Sequence, residues 1–238
     1  MKNAETTIAK LSEVALRRYG MIEEGDRILI GASGGKDSTA LAYDLASKCR
    51  WWPARFEILA LRIETDVGEP QDLSALESLF GEWGVPYDKV FVPVRERIKA
   101  GEKMNCYWCS TQRRTELIRY ALERGFTKIA LGHHLDDIVE TLLMNMLHKG
   151  EFSTMPPVVR YRKYHLSVIR PLALCEERQV VAFAREKGFA GVTCTCGFDG
   201  ASRRKEVRRK IAELTGGSSE QKRNLFASMS RVNEEYLA

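Results

Sequence analysis

Six consecutive residues, Ser33-Gly34-Gly35-Lys36-Asp37-Ser38, bring together hydroxyls, glycines, a cation and a carboxylate. That set can hold phosphate. Adjacent glycines let the backbone turn several N–H groups onto one anion. A helix that starts directly afterwards adds the positive end of its dipole. The spacing is not the Gly-x-x-x-x-Gly-Lys-Ser/Thr of a Walker loop, nor the Gly-x-Gly-x-x-Gly of a dinucleotide fold. An ordinary glycine-rich turn is the alternative, and six fitting residues argue against it.

Two cysteine pairs form a second chemical set, Cys106-x-x-Cys109 and Cys194-Thr195-Cys196. Cys106 stands just before a predicted helix, near Arg113 and Arg114, a setting that favours thiolates. Four thiolates would close a tetrahedral zinc site. Three would hold an iron–sulfur cluster with one iron open. Cys49 and Cys175 lie in apolar helical contexts and are expected to be buried thiols. The third set is Gly132-His133-His134-Leu135-Asp136-Asp137. Asp37, Asp136 and Asp137 are candidates for Mg²⁺ binding. Capping of the following helix is the structural alternative for Asp136-Asp137.

These residues need positioning elements. Strands are predicted over Arg27–Ala32, Phe56–Ile63, Tyr87–Val92, Lys128–Gly132 and Leu166–Ile169. Helices are predicted over Thr6–Tyr19, Ser38–Cys49, Gln71–Trp83, Cys109–Arg124, Asp136–His148, Glu176–Lys187, Ala201–Leu214 and Ser219–Tyr236. Alternation of this kind predicts an α/β fold, a doubly wound, mostly parallel five-stranded sheet. Ligands of such sheets bind at the carboxyl ends of the strands. The loop after strand one, the His-His segment after strand four and the first cysteine pair should therefore meet on one rim. The chain reads as one domain over 1–238, with an N-terminal helical extension at 1–24 and extra C-terminal helices at 200–238.

The 238 residues are 44% hydrophobic and 29% charged, ordinary for a soluble globular protein. No apolar run approaches a membrane span, and Met1–Lys10 lacks a secretory apolar region. A cytoplasmic protein with no membrane partner is expected, which argues against a disulfide framework. Net charge is only +5, but the basic residues cluster at Arg160–His165 and Arg203–Lys210. Such clusters suit nucleic-acid phosphates; solvated helix or loop faces are the alternative.

The phosphate-loop run resembles the signature of the PP-loop superfamily, whose fold is the adenine nucleotide α-hydrolase type. Its order with Cys106/Cys109, Ser110, Arg113-Arg114, Gly132–Asp137, Met155-Pro156-Pro157, Arg170-Pro171-Leu172 and the late cysteines is similar to the tRNA 2-thiocytidine biosynthesis (TtcA) family, in a short form. The resemblance implies ATP-dependent thiolation of a tRNA cytidine, at position 32. ATP adenylates the 2-oxo group, pyrophosphate leaves, and sulfur from a three-cysteine 4Fe–4S cluster displaces AMP. Cys106 and Cys109 match two ligands. Cys194 matches the third, with Cys196 as the alternate, because this chain has Cys-x-Cys-Gly where the family has Cys-x-x-Cys-Gly.

In this likeness Ser33, Gly34, Gly35, Lys36, Ser38, Gly132 and His133 bind the nucleotide, while Asp37, Arg113, Asp136 and Asp137 assist adenylation. The implied cofactors are ATP, Mg²⁺ and the cluster, with zinc as the alternative. The implied partners are tRNA, a sulfur donor such as a cysteine desulfurase or free sulfide, and a second copy in a homodimer. Tyr107 and Trp108 would stack on a base or shield the cluster. Two other functions share the loop. One is a lysidine-type tRNA C–N ligase with structural zinc, and the other a non-catalytic ATP-binding iron–sulfur sensor or sulfur carrier.

Overall fold

The computed structural model describes residues 3–68, 72–98, 104–189 and 203–236. Helix α1 (Ala4–Arg18) precedes β1 (Asp26–Gly31), α2 (Lys36–Lys48), β2 (Phe56–Thr65), α3 (Ser74–Trp83) and β3 (Tyr87–Val92). Then follow α4 (Cys106–Glu123), β4 (Lys128–Ala130), α5 (Leu135–Lys149), β5 (Val158–Arg160), β6 (Ser167–Ile169), α6 (Glu177–Glu186), α7 (Arg203–Thr215) and α8 (Ser219–Ser228). The sheet has six strands in the order β3-β2-β1-β4-β6-β5. All neighbours are parallel except β5 against β6. The five expected strands are present, and β5 is the addition. Residues Ser219–Tyr236 do not form one helix as expected: α8 stops at Ser228, and a 3-10 turn covers Glu234–Tyr236.

Strand β1 lies at the centre, and its alternation builds both layers. Ile28 and Ile30 are fully buried in one cluster with Leu16 of α1, Leu41 and Leu45 of α2, and Val180 and Phe183 of α6. Leu29 points the other way, into a cluster with Tyr120 and Ala121 of α4. Helices therefore cover both faces. A third, smaller cluster joins Leu135 and Val139 of α5 to Val207 and Ile211 of α7.

The chain leaves β1 for β2 on one side and returns to place β4 on the other. The point where strand order reverses is where such sheets open a crevice. The loops after β1 and β4 emerge there. Of the two cysteines expected in the core, Cys175 is buried, but Cys49 is exposed. Cys49 is the C-cap residue of α2, at the end of the helix rather than on its core-facing turns.

Candidate active site

The turn after β1 is built as an anion cradle. Gly34 has φ +84°, a conformation that glycine adopts without strain. Gly35 is the N-cap of α2 and offers no side-chain cap. By contrast, Asn3, Asn105 and Ser218 cap the N-termini of α1, α4 and α8. The leading N–H groups of α2 thus remain open to an external acceptor. Ser38 Oγ and Thr39 Oγ1 both donate to the Gly35 carbonyl, each at 3.0 Å. The Ser33 and Ser38 hydroxyls stand 3.1 Å apart. The Arg62 guanidinium donates to the Ser33 carbonyl and fixes the start of the loop.

Lys36 is held by two carboxylates. Its Nζ lies 3.2 Å from Asp37 Oδ1 and 3.2 Å from Glu177 Oε1, at the start of α6. Burial works against the ammonium, but the two acids outweigh it and raise its pKa. Asp37 Oδ1 is buried, and the Lys36 ion pair is its contact there rather than an aligned hydrogen bond.

Gly132 seats the second loop on the first. A Cβ there would stand 2.8 Å from the Asp37 carbonyl carbon and 2.9 Å from the Ser38 nitrogen. His134 then caps α5 reciprocally: its backbone N–H donates to Asp137 Oδ2 at 3.1 Å, and Asp137 N–H donates to His134 Nδ1 at 3.4 Å. His134 Nε2 is 3.8 Å from Asp37 Oδ1. Asp136 is engaged elsewhere. Its Oδ1 accepts from Lys222 Nζ of α8 at 2.6 Å, and its Oδ2 accepts from the Glu177 N–H at 2.7 Å. Burial would raise the Asp136 pKa, yet these two donors hold it below the ordinary value.

A cavity of about 220 Å³ opens beside the loop. Ser33 and His133 reach it from the strand ends, Ser110, Arg113 and Arg114 from α4. Its apolar wall is Leu61, Ile63, Leu117 and Leu131. A flat heterocycle and a polyanion both suit that lining. Burial pushes the His133 imidazole down to about 4, with Arg170 and Arg204 opposing a further charge. Its Nδ1 is buried without a hydrogen bond among the described residues.

Helix α4 begins at Cys106, three residues earlier than expected, because Asn105 caps it through a 2.8 Å bond from the Trp108 N–H. Cys106 and Cys109 are thus one turn apart on the same helix face. Cys106 is exposed and Cys109 half-buried, one turn before the cavity-lining Ser110 and Arg113. Among the described residues no group of three metal-ligating side chains forms. Cys194 and Cys196 lie outside the described residues. Trp108 packs against the core cluster of α4, with its indole N–H on the Val94 carbonyl at 3.4 Å, while Tyr107 is 80% exposed.

Arg170 is buried and ties down the Pro156-Pro157 turn. Its guanidinium donates to the Pro156 carbonyl at 2.6 Å and its backbone N–H to the Pro157 carbonyl at 2.9 Å. The sequence reading missed Glu177, Lys222 and Arg62. Arg62 carried a signal, the one cation within the otherwise apolar run Ile58–Ile63. Glu177 and Lys222 carried none, since their partners are 141 and 86 residues away.

The sheet order, the glycine turn and the polar rim define a PP-loop protein, and residues 3–215 match the family model described as the PP-loop domain. The chain is 36% identical to the tRNA-cytidine(32) 2-sulfurtransferase of Coxiella burnetii, over 99% of this chain and 93% of that one. It is 37% identical to the protein of the same name from Anaeromyxobacter dehalogenans, over 98% and 81% of the two chains. The chain belongs to this tRNA-cytidine(32) 2-sulfurtransferase family of PP-loop proteins. In fold it is similar to the U34-tRNA thiolase NcsA from Methanococcus maripaludis, solved with its 4Fe–4S cluster. That likeness has a TM-score of 0.75 at 22% identity, covering 99% of this chain and 81% of NcsA. The NMN synthetase of Francisella tularensis shares the fold more distantly, with a TM-score of 0.57 at 14% identity.

Proposed function

We propose that this chain converts cytidine 32 of tRNA to 2-thiocytidine at the expense of ATP. One observation carries the reading: Ser33, at the start of the loop that leads into the uncapped α2, and Ser110 and Arg113 of α4, the helix whose first turn bears Cys106 and Cys109, line one cavity. That shared lining supports a phosphate loop and a thiol-bearing helix acting on one substrate.

The chemistry follows from leaving groups. The 2-oxo oxygen of cytosine leaves poorly, whereas AMP leaves well. The base oxygen attacks the α-phosphorus, the bond to the bridging oxygen breaks, and pyrophosphate departs. A sulfide nucleophile then forms the C2–S bond as the C2–O bond to AMP breaks. Ser33, Gly34, Gly35, Lys36 and Ser38 hold the phosphates through N–H, ammonium and hydroxyl donors. Arg113 neutralises charge that develops on the phosphorus oxygens. Gly132 lets the two loops close together, and neutral His133 offers a hydrogen bond without adding charge.

Asp37 is the carboxylate proposed for Mg²⁺, because it stands in the phosphate loop itself, where its Oδ1 meets a cation already, the Lys36 ammonium at 3.2 Å. Asp137 stands beside it through His134, while Asp136 serves mainly to anchor α5. Cys106 and Cys109, with Cys194 or Cys196, are the donor set of thiols that an iron–sulfur cluster needs. When bound there, the cluster supplies the sulfur. The family likeness supports a sulfur donor such as a cysteine desulfurase or free sulfide, a homodimer, and action in the cytoplasm. Among the described residues no helix is long and apolar enough to cross a membrane.

The test is mass spectrometry of nucleosides from unmodified tRNA incubated anaerobically with the reconstituted protein, ATP and sulfide. The expected product is 2-thiocytidine, formed only with ATP and accompanied by AMP. Formation of a different thionucleoside, or of lysidine-type product with an amine, overturns the assignment.

A further inference from the structure

The two basic clusters part company in the structure. On α7, Arg204, Arg208, Arg209 and Lys210 pair with acidic side chains of the protein. Arg208 Nε donates to Glu140 Oε1 at 2.6 Å, and Arg204 Nε lies 3.6 Å from Glu140 Oε2. Arg209 and Lys210 pair with Glu213 and Glu206 at 2.7 and 2.8 Å. This cluster is largely neutralised by the protein itself and binds α7 to α5.

The other cluster forms the tip between β5 and β6. Arg160, Arg162, Lys163 and His165 are all exposed, and none makes an ion pair among the described residues. The tip is nevertheless ordered. Tyr161 N–H donates to the Leu166 carbonyl at 3.1 Å, and Tyr161 packs against the cluster beneath α4. Tyr161 and Tyr164 meet edge to face with centroids 6.4 Å apart, and Lys163 Nζ sits 5.5 Å above the Tyr164 ring.

Its position is fixed by the sheet. β6 runs parallel to β4, so the tip that precedes it stands at the amino-terminal rim, opposite the phosphate loop. Ser167 N–H donates to the Thr127 carbonyl at 3.0 Å, next to the Arg124–Gly125 turn. Arg124 adds a cation there, 60% exposed and 4.0 Å from its nearest carboxylate. The six residues of β1 separate the two rims by about 20 Å.

We propose that this tip is a second RNA contact, gripping backbone phosphates of a duplex stem while the distant cavity takes an unpaired base from the adjoining loop. Duplex RNA is read mainly through its backbone and shape, for which unpaired cations on an ordered turn are suited. The inference rests on the tRNA reading above.

The test measures binding of an unmodified tRNA transcript across a salt series. In R160Q/R162Q/K163Q the affinity should fall tenfold or more at 0.1 M salt. The slope of log affinity against log salt should shrink by about 2 to 3. ATP affinity, melting temperature and kcat at saturating tRNA should stay unchanged while KM rises. R160K/R162K should keep the parent slope, and R209Q/K210Q should change little. If the triple variant melts early, R162Q alone should still lower the slope by about 1. Parent affinity and slope in these variants, from a chain that binds tRNA, would overturn the proposal and leave the tip to an acidic protein. Failure of the unaltered chain to bind or thiolate tRNA would instead bring down the thiolation reading.

Discussion

Gly132 and Asp37 touch through backbone alone: a single added methyl group on Gly132 would stand 2.8 Å from the Asp37 carbonyl carbon. No flexible side chain lies between them to yield. Gly132→Ala should therefore push the β4 loop off the first turn of α2. Overpacking of this kind costs about 1–3 kcal/mol. The expected outcome is a lower denaturant midpoint together with weakened ATP binding, measured by calorimetry. Unchanged nucleotide affinity would show that the two loops do not act as one cradle.

The Asp136–Lys222 pair links the C-terminal helix to the site. Lys222→Met should cost about 1–3 kcal/mol, since it leaves a largely buried carboxylate short of a donor. The native pKa of Asp136 lies below its ordinary value. Its stabilisation is therefore present above the unfolded carboxylate pKa and is lost as pH falls through the folded one. In Lys222→Met that acid-side loss should shrink, and NMR titration of Asp136 should show a higher pKa.

His133 gives a slope at higher pH. Unfolded, it titrates near 6.5; folded, burial holds it to about 4. The unfolded chain thus binds the proton first as pH falls. Stability from this residue is complete above pH 6.5 and is lost progressively down to about pH 4, by at most about 3 kcal/mol. Urea unfolding between pH 5 and 7 should show the slope, and His133→Gln should flatten it.

The cysteines divide by role. After anaerobic reconstitution the parent should carry about four irons per chain. Cys106→Ser and Cys109→Ser should each lose most of that iron and its visible absorbance. Cys175→Ala, in the core, should lower stability and leave iron content intact. Cys194→Ser should behave like Cys106→Ser, and Cys196→Ser like the parent. The reverse result would move the third ligand to Cys196. Stoichiometric zinc without iron would remove the cluster altogether.

Much of this architecture was legible because it is local. The apolar run before Ser33, the glycines after it and the helix pattern beyond are neighbours in the chain. β5 escaped because three residues after Pro156-Pro157 show no alternation, and only pairing with β6 makes them a strand. The inward face of α7 escaped for a different reason. Its basic run looks like a solvated or RNA-binding face until α5 supplies Glu140, 68 residues away from Arg208 in sequence. Asp136 looked like the acids of a metal site, and its use by Lys222 has no local trace.

Lys36 begins its cycle already occupied. To meet a nucleotide in the proposed role it would have to part from Asp37 and Glu177, so any affinity it conferred would be a difference between two electrostatic states. A triphosphate, rich in negative charge, competes well for the ammonium; AMP competes less well. On the proposed reading, the same acids that oppose capture would favour release of the spent nucleotide. In the proposed site the lysine would work as an exchangeable counter-ion that discriminates by charge, with Asp37 and Glu177 taking it back once the nucleotide leaves.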